Sequence, residues 1–290
     1  MKLTNVLLST KKTALEYYKE HSDAYEELLP PDDLQKIKKS HEEHYTTLDF
    51  IKKILSKEGI KFDRTYMPYS EYKDFENRDL IISIGGDGTV LNSSHYILDN
   101  TQILCVRSDT ASTGALCSIT NNEFEFALEK ILEDKFHVEA WTRVEGYFDK
   151  KRISALNEIF VGHKFAVGTA RYTITFKDVA KSQISSGIIV TTGTGSTGWY
   201  KNIAGKENTF PRDSKELKFC TREYLIEGRY ALTKGVIKDK EVLIIKSGMD
   251  VNGCISFDAD IDKRSFLFNR GKTIEIKISE TPLYVIIPGK

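Results

Sequence analysis

The stretch from Leu80 to Thr89 reads LIISIGGDGT and determines the fold expected for the first half of the chain. Its first five residues form a nearly continuous apolar run, which is typical of a parallel strand buried on both faces. The glycines that follow predict a tight turn, and an apolar helix is expected from about Thr89 to Leu98. Strand, glycine turn and helix in this order begin an α/β domain.

The flanking sequence extends this α/β pattern in both directions. Further strands are predicted over residues 5–9 and 103–106, and further helices over residues 33–59 and 122–132. Asp33 can cap the longer helix, and Gly59 can end it in the left-handed conformation. The shorter helix offers four apolar residues for packing, namely Phe124, Phe126, Leu128 and Ile131.

The character of the chain changes at about Val138, where short alternating segments replace long helices. The segments cover residues 141–148, 153–161, 172–176, 188–192, 242–246 and 273–278. This pattern predicts a mainly antiparallel β-sandwich. Because 290 residues exceed what one hydrophobic core usually organises, we expect two domains. They are a doubly wound α/β nucleotide-binding domain at 1–137 and a β-rich domain at 138–290.

Charge and composition exclude several classes of function. The 42 basic residues balance the 42 acidic residues, so no global field favours binding to nucleic acid or to an anionic membrane. No apolar stretch approaches the roughly 18 residues of a membrane-spanning helix, and the N-terminus lacks the apolar segment of a signal peptide. A cytoplasmic location is therefore expected. The four cysteines contain no C-x-x-C pair, so we expect reduced, structural thiols.

The turn Gly85-Gly86-Asp87-Gly88-Thr89 carries the first chemical signal. Backbone N–H groups of such a turn, together with the N-terminus of the next helix, predict a phosphate cradle. A carboxylate inside an anion cradle is unfavourable unless it accepts a hydroxyl proton or holds Mg²⁺ beside the phosphates. The alternative is a plain turn in which the aspartate serves the backbone.

The second signal is TTGTGSTG at residues 191–198, directly after an apolar strand. It offers hydroxyls and accessible amides suited to the phosphates and ribose of a nucleotide, and the alternative is a flexible linker. The candidate binding residues are Thr192, Gly193, Thr194, Gly195, Ser196 and Thr197. The polar stretch at 202–218 is predicted to be a mobile loop.

Two further patterns place carboxylates in the β-rich domain. Asn157 and Glu158 lie inside the predicted strand 153–161, where alternation into water does not account for both residues. An amide beside a carboxylate can bind an adenine edge and a ribose diol, and the alternative is a solvated strand end. In Phe257-Asp258-Ala259-Asp260, the carboxylates share one side of a strand or form a hairpin turn, and Asp258 is a candidate nucleotide-binding residue.

The pair His41 and His44 lies one helical turn apart and resembles half of a metal site. No third ligand is visible in the sequence, and the neighbouring residues are charged. The pattern therefore favours an exposed polar helix face, and no metal-ligating residues are predicted.

The order GGDGT, ALNEIF, SSGIIVTTGTGSTGW and FDAD resembles the NAD kinase family. GGDGT alone is shared with lipid kinases of the diacylglycerol and sphingosine type. The glycine–threonine segment is most similar to the branch that includes the mitochondrial NAD kinases of animals. The commoner bacterial form has a proline where this chain has Gly193.

The resemblance implies transfer of the γ-phosphate of ATP, bound with Mg²⁺, to the 2′-hydroxyl of the adenosine ribose of NAD. It implies that Asp87 is the base for that hydroxyl and that Asn157 and Glu158 hold the adenosine. Thr194, Thr197 and Asn202 would line the same pocket. The resemblance also implies a homodimer or higher homo-oligomer that forms through the β-rich domain.

Two positions depart from the family pattern: Ser186 precedes Gly187 where an aspartate is usual, and Arg107 replaces a usual asparagine. Ser186 is retained as a candidate binding residue at the nicotinamide end. The alternatives are a lipid kinase built on the same turn and a dinucleotide sensor without activity. A sensor would have lost Asp87, which is present. The sequence leaves open NAD or NADH as acceptor and ATP or polyphosphate as donor.

Overall fold

The structure is a computed structural model that describes residues 1–224 and 231–289. The chain divides into two compact units, which are described separately. The first unit comprises Met1–Glu139 together with the C-terminal segment that begins at Leu283, and the second comprises Ala140–Pro282. The described part of the chain contains no helix with the length and hydropathy of a membrane-spanning segment.

The elements are numbered in chain order. The helices are α1 (Ala14–His21), α2 (Tyr25–Leu28), α3 (Pro31–Lys57), α4 (Tyr72–Phe75), α5 (Asp87–Ser94), α6 (Phe124–Leu132) and α7 (Trp199–Ala204). The strands are β1 (Val6–Thr10), β2 (Phe62–Tyr66), β3 (Leu80–Gly85), β4 (Ile103–Arg107), β5 (Ile119–Thr120), β6 (Phe136–Trp141), β7 (Val144–Phe148), β8 (Lys151–Ala155), β9 (Glu158–His163), β10 (Ala170–Phe176), β11 (Val179–Ser185), β12 (Ile188–Thr191), β13 (Glu216–Thr221), β14 (Lys234–Lys238), β15 (Leu243–Ser247), β16 (Gly253–Phe257), β17 (Ser265–Leu267), β18 (Thr273–Ile278) and β19 (Leu283–Pro288).

The first unit is built on a sheet with the strand order β2-β1-β3-β4-β19-β6, to which β5 adds beside β4. Strands β1, β2, β3 and β4 pair in parallel, and every residue of β1 and β3 is buried. Helices α3 and α6 share one core with one face of the sheet. On the opposite face, Ser93 of α5 contacts Ser9 of β1. Helices on both faces explain the continuous apolar runs and confirm the predicted α/β domain.

Two helix boundaries in this unit, and the burial of one helix residue, differ from the sequence expectations. Helix α3 begins at Pro31, whose missing N–H and fixed φ suit the first turn, so Asp33 is not the cap. Gly59 follows the helix at φ +68°, as predicted. Helix α5 ends at Ser94 rather than at Leu98, and Phe126 of α6 is exposed instead of packed.

The second unit is a sandwich of two six-stranded sheets with the orders β11-β10-β15-β18-β7-β8 and β14-β13-β12-β9-β16-β17. The pairings within both sheets are antiparallel. One core joins the two inner faces, for example Ile174 and Ile245 of the first sheet with Val190 and Ile255 of the second. The predicted β-sandwich is therefore confirmed.

The sequence boundaries place residues 138–290 together, whereas β19 belongs to the first unit and pairs in parallel with β4 at Val285 and Ile103. Alternation alone cannot distinguish which sheet a strand joins, because the buried run of β19 would suit either sheet. The four cysteines are free thiols, as expected.

Candidate functional site

The glycine-rich turn joins β3 to α5 in the first unit. A Cβ atom on Gly85 would clash with the side chain of Thr89, and one on Gly86 would clash with the side chain of Ser112. These two glycines therefore permit close packing of the turn. The N–H groups of Thr89 and Val90 donate to the Gly86 carbonyl oxygen at 2.9 and 3.2 Å and begin the helix.

Gly88 has a different environment from the other two glycines of the turn. Apart from its chain neighbours and the backbone of its own helix, no heavy atom of the described residues lies within 4 Å of the position that its Cβ would occupy, and the residue is exposed. The N–H groups of Asp87 and Gly88 precede the first hydrogen bonds of the helix and have no partner within it. The absence of a side chain at Gly88 leaves these groups accessible, which the predicted phosphate cradle requires.

Asp87 is the first residue of α5 and is half-buried. The backbone N–H of Leu116 donates to its Oδ1 at 2.8 Å, and the described residues supply no hydrogen bond to Oδ2. Burial, and next to it the charge of Asp87, raise the pKa of the Cys117 thiol to about 12. The arrangement leaves Asp87 oriented by one oxygen and able to accept a proton at the other.

The segment between β4 and β5 supplies the Leu116 N–H. This segment is held by hydrogen bonds and an ion pair that the sequence analysis did not predict. Arg107 donates from Nε to the Asp109 carbonyl at 3.1 Å and from Nη2 to the Thr110 carbonyl at 2.9 Å. Asp109 is buried; it pairs with Lys11 and accepts the N–H groups of Ala111 and Ser112. Arg107 therefore organises the loop that orients Asp87.

His44 lies behind this loop and corrects the prediction of an exposed helix face. Its side chain is fully buried, and Nδ1 lies 2.9 Å from Ser108 Oγ. Burial, and less strongly the charge of Lys11, lower the pKa of His44 to about 4. His41 instead contacts Thr13 Oγ1 through Nδ1 at 2.8 Å. Within the described ranges, no three His, Cys, Asp or Glu residues cluster as metal ligands.

A cavity of about 610 Å³ lies beside the same loop, between α3 and the segment after β4. Apart from Glu42, its acidic and basic side chains are engaged with one another or with the backbone. Glu43 accepts the Thr110 N–H at 2.7 Å and lies 3.7 Å from Lys39, and Arg107 donates to two carbonyl groups as described.

In the second unit, the predicted strand 153–161 is interrupted. Strand β8 ends at Ala155 in one sheet, and β9 begins at Glu158 in the other. Leu156 and Asn157 make the crossing. The apolar alternation continues through the break, so the sequence pattern does not reveal it.

Two oxygen atoms at this break, Asn157 Oδ1 and Thr194 Oγ1, are fully buried without a hydrogen bond. Glu158 beside them is 5% exposed, and no hydrogen bond from the described residues reaches its carboxylate. Burial, and next to it the charge of Asp258, raise the pKa of Glu158 to about 8. Buried polar groups are rarely unpaired unless a ligand completes them, so this group is the candidate binding site of the unit.

The glycine–threonine segment folds against the same break and is not a linker. The Thr192 N–H donates to the Asn157 carbonyl at 2.9 Å, and Thr192 Oγ1 donates to the Leu156 carbonyl at 2.6 Å. A Cβ atom on Gly195 would clash with the Asn157 carbonyl, and one on Gly193 would clash with the Pro211 carbonyl. The glycines thus bring Thr194 beside Asn157.

Several hydroxyl groups of the glycine–threonine segment donate hydrogen bonds to carbonyl groups of the same segment. Ser196 Oγ donates to the Gly193 carbonyl at 2.7 Å, and Thr197 Oγ1 donates to the Thr194 carbonyl at 3.1 Å. Thr192 is engaged as described, so Thr194 alone among these residues offers a buried hydroxyl without a partner.

The segment 202–218, which the sequence predicts to be a mobile loop, contains regular structure at both ends. Helix α7 continues to Ala204, and β13 begins at Glu216. Lys218 Nζ of β13 donates to the Asn208 carbonyl at 3.2 Å. Asn202 lies on α7 and is exposed, and no hydrogen bond joins it to the Asn157 group within the described residues.

Ser186 lies between β11 and β12, and its backbone N–H donates to the Arg222 carbonyl at 3.0 Å. Among the described residues it has no hydrogen bond with the Asn157 group. The Arg222 guanidinium lies 5.1 Å from the centre of the Trp199 ring, directly after the glycine–threonine segment.

The two alternatives for Phe257–Asp260 resolve as a turn. Strand β16 ends at Phe257, and Asp258 and Ala259 have φ values of +51° and +55°. Asp260 forms an ion pair with Arg264 at 2.6 Å. The carboxylate of Asp258 bonds to the backbone at the β8–β9 break and therefore lies with Asn157 and Glu158.

The glycine-rich turn at the carboxyl end of a parallel strand, followed by a helix, is the arrangement typical of phosphate-binding α/β domains. The family model of the ATP-NAD kinase N-terminal domain matches residues 4–136. Two solved structures share the fold of nearly the whole chain. The NAD kinase from Archaeoglobus fulgidus in complex with ATP has a TM-score of 0.68 and 18% identity and covers 97% of this chain and 93% of its own. The yeast NADH kinase complexed with NADH has a TM-score of 0.74 and 16% identity over 99% of this chain and 84% of its own.

Sequence comparison agrees with the family model. A probable NADH kinase of Oryza sativa subsp. japonica is 26% identical over 275 residues, which is 84% of this chain and 82% of that protein. An NAD kinase of Christiangramia forsetii is 33% identical over 174 residues, 57% of this chain and 58% of that protein. Residues 4–136 thus match the ATP-NAD kinase N-terminal domain, and the chain is similar to NAD and NADH kinases over most of its length.

Proposed function

We propose that this protein is an NAD kinase, which transfers the γ-phosphoryl group of ATP to the 2′-hydroxyl of the adenosine ribose of NAD and forms NADP and ADP. The observation that carries the proposal is the environment of Asp87. Its carboxylate stands at the start of α5, beside the open position of Gly88, and is oriented through one oxygen by the Leu116 N–H. A base oriented beside a phosphate cradle is the arrangement that phosphoryl transfer to a hydroxyl requires.

The first unit would bind ATP. The open N–H groups at the start of α5 and the positive end of its dipole favour the phosphates, and Gly88 lets them approach the backbone. Asp87 Oδ2 could also complete the coordination of Mg²⁺, which usually takes one or two carboxylates together with substrate phosphates. When bound, Mg²⁺ supplies neutralisation of the phosphate charge. The solved structure of the Archaeoglobus fulgidus NAD kinase contains ATP.

The second unit would bind the adenosine part of NAD. The Asn157 Oδ1 can accept a hydrogen bond from the adenine amino group, and the Glu158 carboxyl and Thr194 hydroxyl can bond to the ribose hydroxyls. Ligand binding would then satisfy the two oxygen atoms that are buried without a partner, together with the buried Glu158 carboxyl group. The solved structure of the yeast NADH kinase contains NADH.

In the reaction, the ribose 2′-oxygen attacks the γ-phosphorus and its proton passes to the Asp87 carboxylate. A bond forms between the 2′-oxygen and the γ-phosphorus, the bond to the bridging oxygen breaks, and ADP leaves. A positioned base of this kind typically contributes about 10²–10⁴ in rate. Backbone N–H groups at the cradle stabilise the charge on the transferring group.

The test is the turnover of Asp87→Asn. We expect unchanged folding and NAD binding with at least about a hundredfold lower formation of NADP, which corresponds to about 2.7 kcal/mol of activation free energy. Asp49→Asn on the exposed surface of α3 is the matched control and should retain full activity. Turnover near that of the wild type in Asp87→Asn would refute the assignment of the base.

NADH is the second candidate acceptor. No carboxylate stands at position 186, and a carboxylate near the nicotinamide end would favour the charged ring of NAD over the neutral ring of NADH. Parallel assays with NAD, NADH and a diacylglycerol, and with ATP or polyphosphate as donor, separate these activities. Phosphorylation of the diacylglycerol alone would favour a lipid kinase, and dinucleotide binding without transfer would favour a sensor.

The partner and location expectations remain proposals. We propose a homodimer or larger homo-oligomer formed through the β-rich domain, a cytoplasmic location, and a kinship with the branch that includes the animal mitochondrial enzymes. Sedimentation at assay concentration tests the first: a fully active monomer would exclude it.

A further inference from the structure

Asp258 holds an unusual position in the second unit, directly after β16 and with backbone φ in the left-handed region. Its Oδ2 accepts the Leu156 N–H at 2.9 Å, and its Oδ1 accepts the N–H groups of Asn157 and Glu158 at 2.7 and 3.1 Å. Its own N–H donates to the Glu158 carbonyl at 2.9 Å. One aspartate therefore binds the backbone of three consecutive residues.

These hydrogen bonds decide what Asp258 is able to do. The three N–H groups lie where the chain crosses from β8 to β9, and without the carboxylate they would be unpaired at a largely buried break. Bonds from N–H groups to an ionised carboxylate are stronger than bonds between neutral groups, and consecutive N–H groups form a concave anion site. Because both oxygens are engaged, Asp258 is a poor candidate for direct contact with a nucleotide.

We propose that Asp258 is a positioning residue of the dinucleotide site: its carboxylate fixes the β8–β9 break so that Asn157 and Glu158 present their side chains to the adenosine, and its charge faces Glu158. The inference rests on the proposed function and assigns a role that differs from substrate contact. Leu156 and Asn157 lie between the two strands and outside both ladders, and Glu158 is the first residue of β9. The bonds from the N–H groups of these three residues to Asp258 therefore fix the backbone from which Asn157 and Glu158 project.

The charge of Asp258 is the main charge that acts on Glu158. Glu158 pairs with Thr191 on one side, and on the other side Asp258 lies opposite it. Lys218 pairs with Thr191 one strand further away, but its Nζ is held by the Asn208 carbonyl. In the same turn, Asp260 and Arg264 form an ion pair with each other, and Asp262 and Lys263 are exposed.

Two consequences follow for binding. Loss of the Asp258 charge should make Glu158 ionise at lower pH, since burial and Asp258 together raise the pKa of Glu158 to about 8. Loss of the positioning bonds should weaken the binding of NAD, whereas ATP binding depends on the first unit. Asp258→Asn combines both changes with nearly unchanged shape.

The experiment measures NAD binding by calorimetry between pH 6 and pH 9, and KM and kcat by steady-state kinetics, for the wild type, Asp258→Asn and the control Asp260→Asn. We expect Asp258→Asn to raise the KM for NAD about tenfold with kcat at saturation and the KM for ATP within about twofold. The midpoint of the pH dependence of NAD binding should move to lower pH. Asp260→Asn should leave that midpoint unchanged. Unchanged NAD affinity and midpoint in a folded Asp258→Asn protein would overturn the inference.

Amide hydrogen exchange of the wild-type protein tests the positioning bonds independently of any variant. The N–H groups of Leu156, Asn157 and Glu158 should exchange slowly, at rates comparable to the interior of β9. Exchange as fast as that of an exposed loop would overturn the inference even if Asp258→Asn fails to fold. A wild-type protein that does not bind NAD would count against the proposed function, and the exchange rates would still decide the role of Asp258.

Discussion

Replacement of Glu158 by glutamine tests the electrostatic cost of the candidate dinucleotide site. Glu158 is 5% exposed, and burial together with the charge of Asp258 raises its pKa from 4.5 to about 8. Between pH 4.5 and about pH 8, the Glu158 carboxyl is protonated in the folded protein and ionised in the unfolded chain. The contribution of Glu158 to the free energy of unfolding therefore falls as pH rises through this range and is constant above about pH 8. Each pH unit in this window corresponds to about 1.4 kcal/mol.

Glutamine does not ionise, so Glu158→Gln should not lose this stability. We therefore expect the free energy of unfolding of Glu158→Gln, relative to that of the wild type, to increase by about 3 kcal/mol between pH 5 and pH 8. Urea unfolding of both proteins without ligand, at several pH values and constant ionic strength, measures this difference. Glu145→Gln in the other sheet is a control, because it is an acidic residue paired with Arg152 outside this group. A difference between Glu158→Gln and the wild type that stays constant with pH would refute the reasoning.

Three further predictions address the other groups of the molecule. Burial lowers the pKa of His44 from 6.5 to about 4, so the wild type loses stability as pH falls between these values. In His44→Gln, the free energy of unfolding should fall by about 2 kcal/mol less over this pH range. Unfolding curves recorded at several acidic pH values measure this difference. Gly88→Ala should keep the melting temperature but raise the KM for ATP about tenfold, whereas Gly86→Ala, which clashes with Ser112, should also lower the melting temperature. Equal effects of both changes on stability would contradict the assigned role of Gly88. Ser186→Asp should raise the ratio of NAD to NADH efficiency several-fold at low salt and less at high salt, with Ser186→Asn as the neutral control; an unchanged ratio would show that position 186 does not sense the ring charge.

The sequence predicted those elements that a local pattern of apolar residues or glycines identifies. Strand β3, the glycine turn after it and the sandwich strands follow from apolar runs, alternation and glycine, all of which act over a few neighbouring residues. The sequence also predicts the tight turn at Gly85 and Gly86, where a Cβ atom would clash with the side chains of Thr89 and Ser112.

The features that the sequence did not predict depend on contacts between distant residues. The break at Leu156 is stabilised by Asp258, which lies 102 residues later in the chain. The burial of His44 depends on Ser108, 64 residues away, and the orientation of Asp87 depends on Leu116. Local periodicity contains no information on such pairs, so the alternation through residues 153–161 concealed the break and the charged neighbours of His44 concealed its burial.

Several energetically unfavourable polar groups of the second unit lie together at the β8–β9 break, and their proximity indicates a ligand-binding site. The oxygen atoms of Asn157 and Thr194 are buried without a partner, and Glu158 is buried beside a second carboxylate. Each such group lowers the stability of the folded chain by about 1–3 kcal/mol, and an apolar residue in its place would remove that cost. Natural sequences retain such conflicts mainly at functional sites. A ligand that donates to the amide oxygen and bonds to the carboxyl and hydroxyl groups would offset these costs together, and the adenosine of NAD carries the amino group and the ribose hydroxyls that this requires.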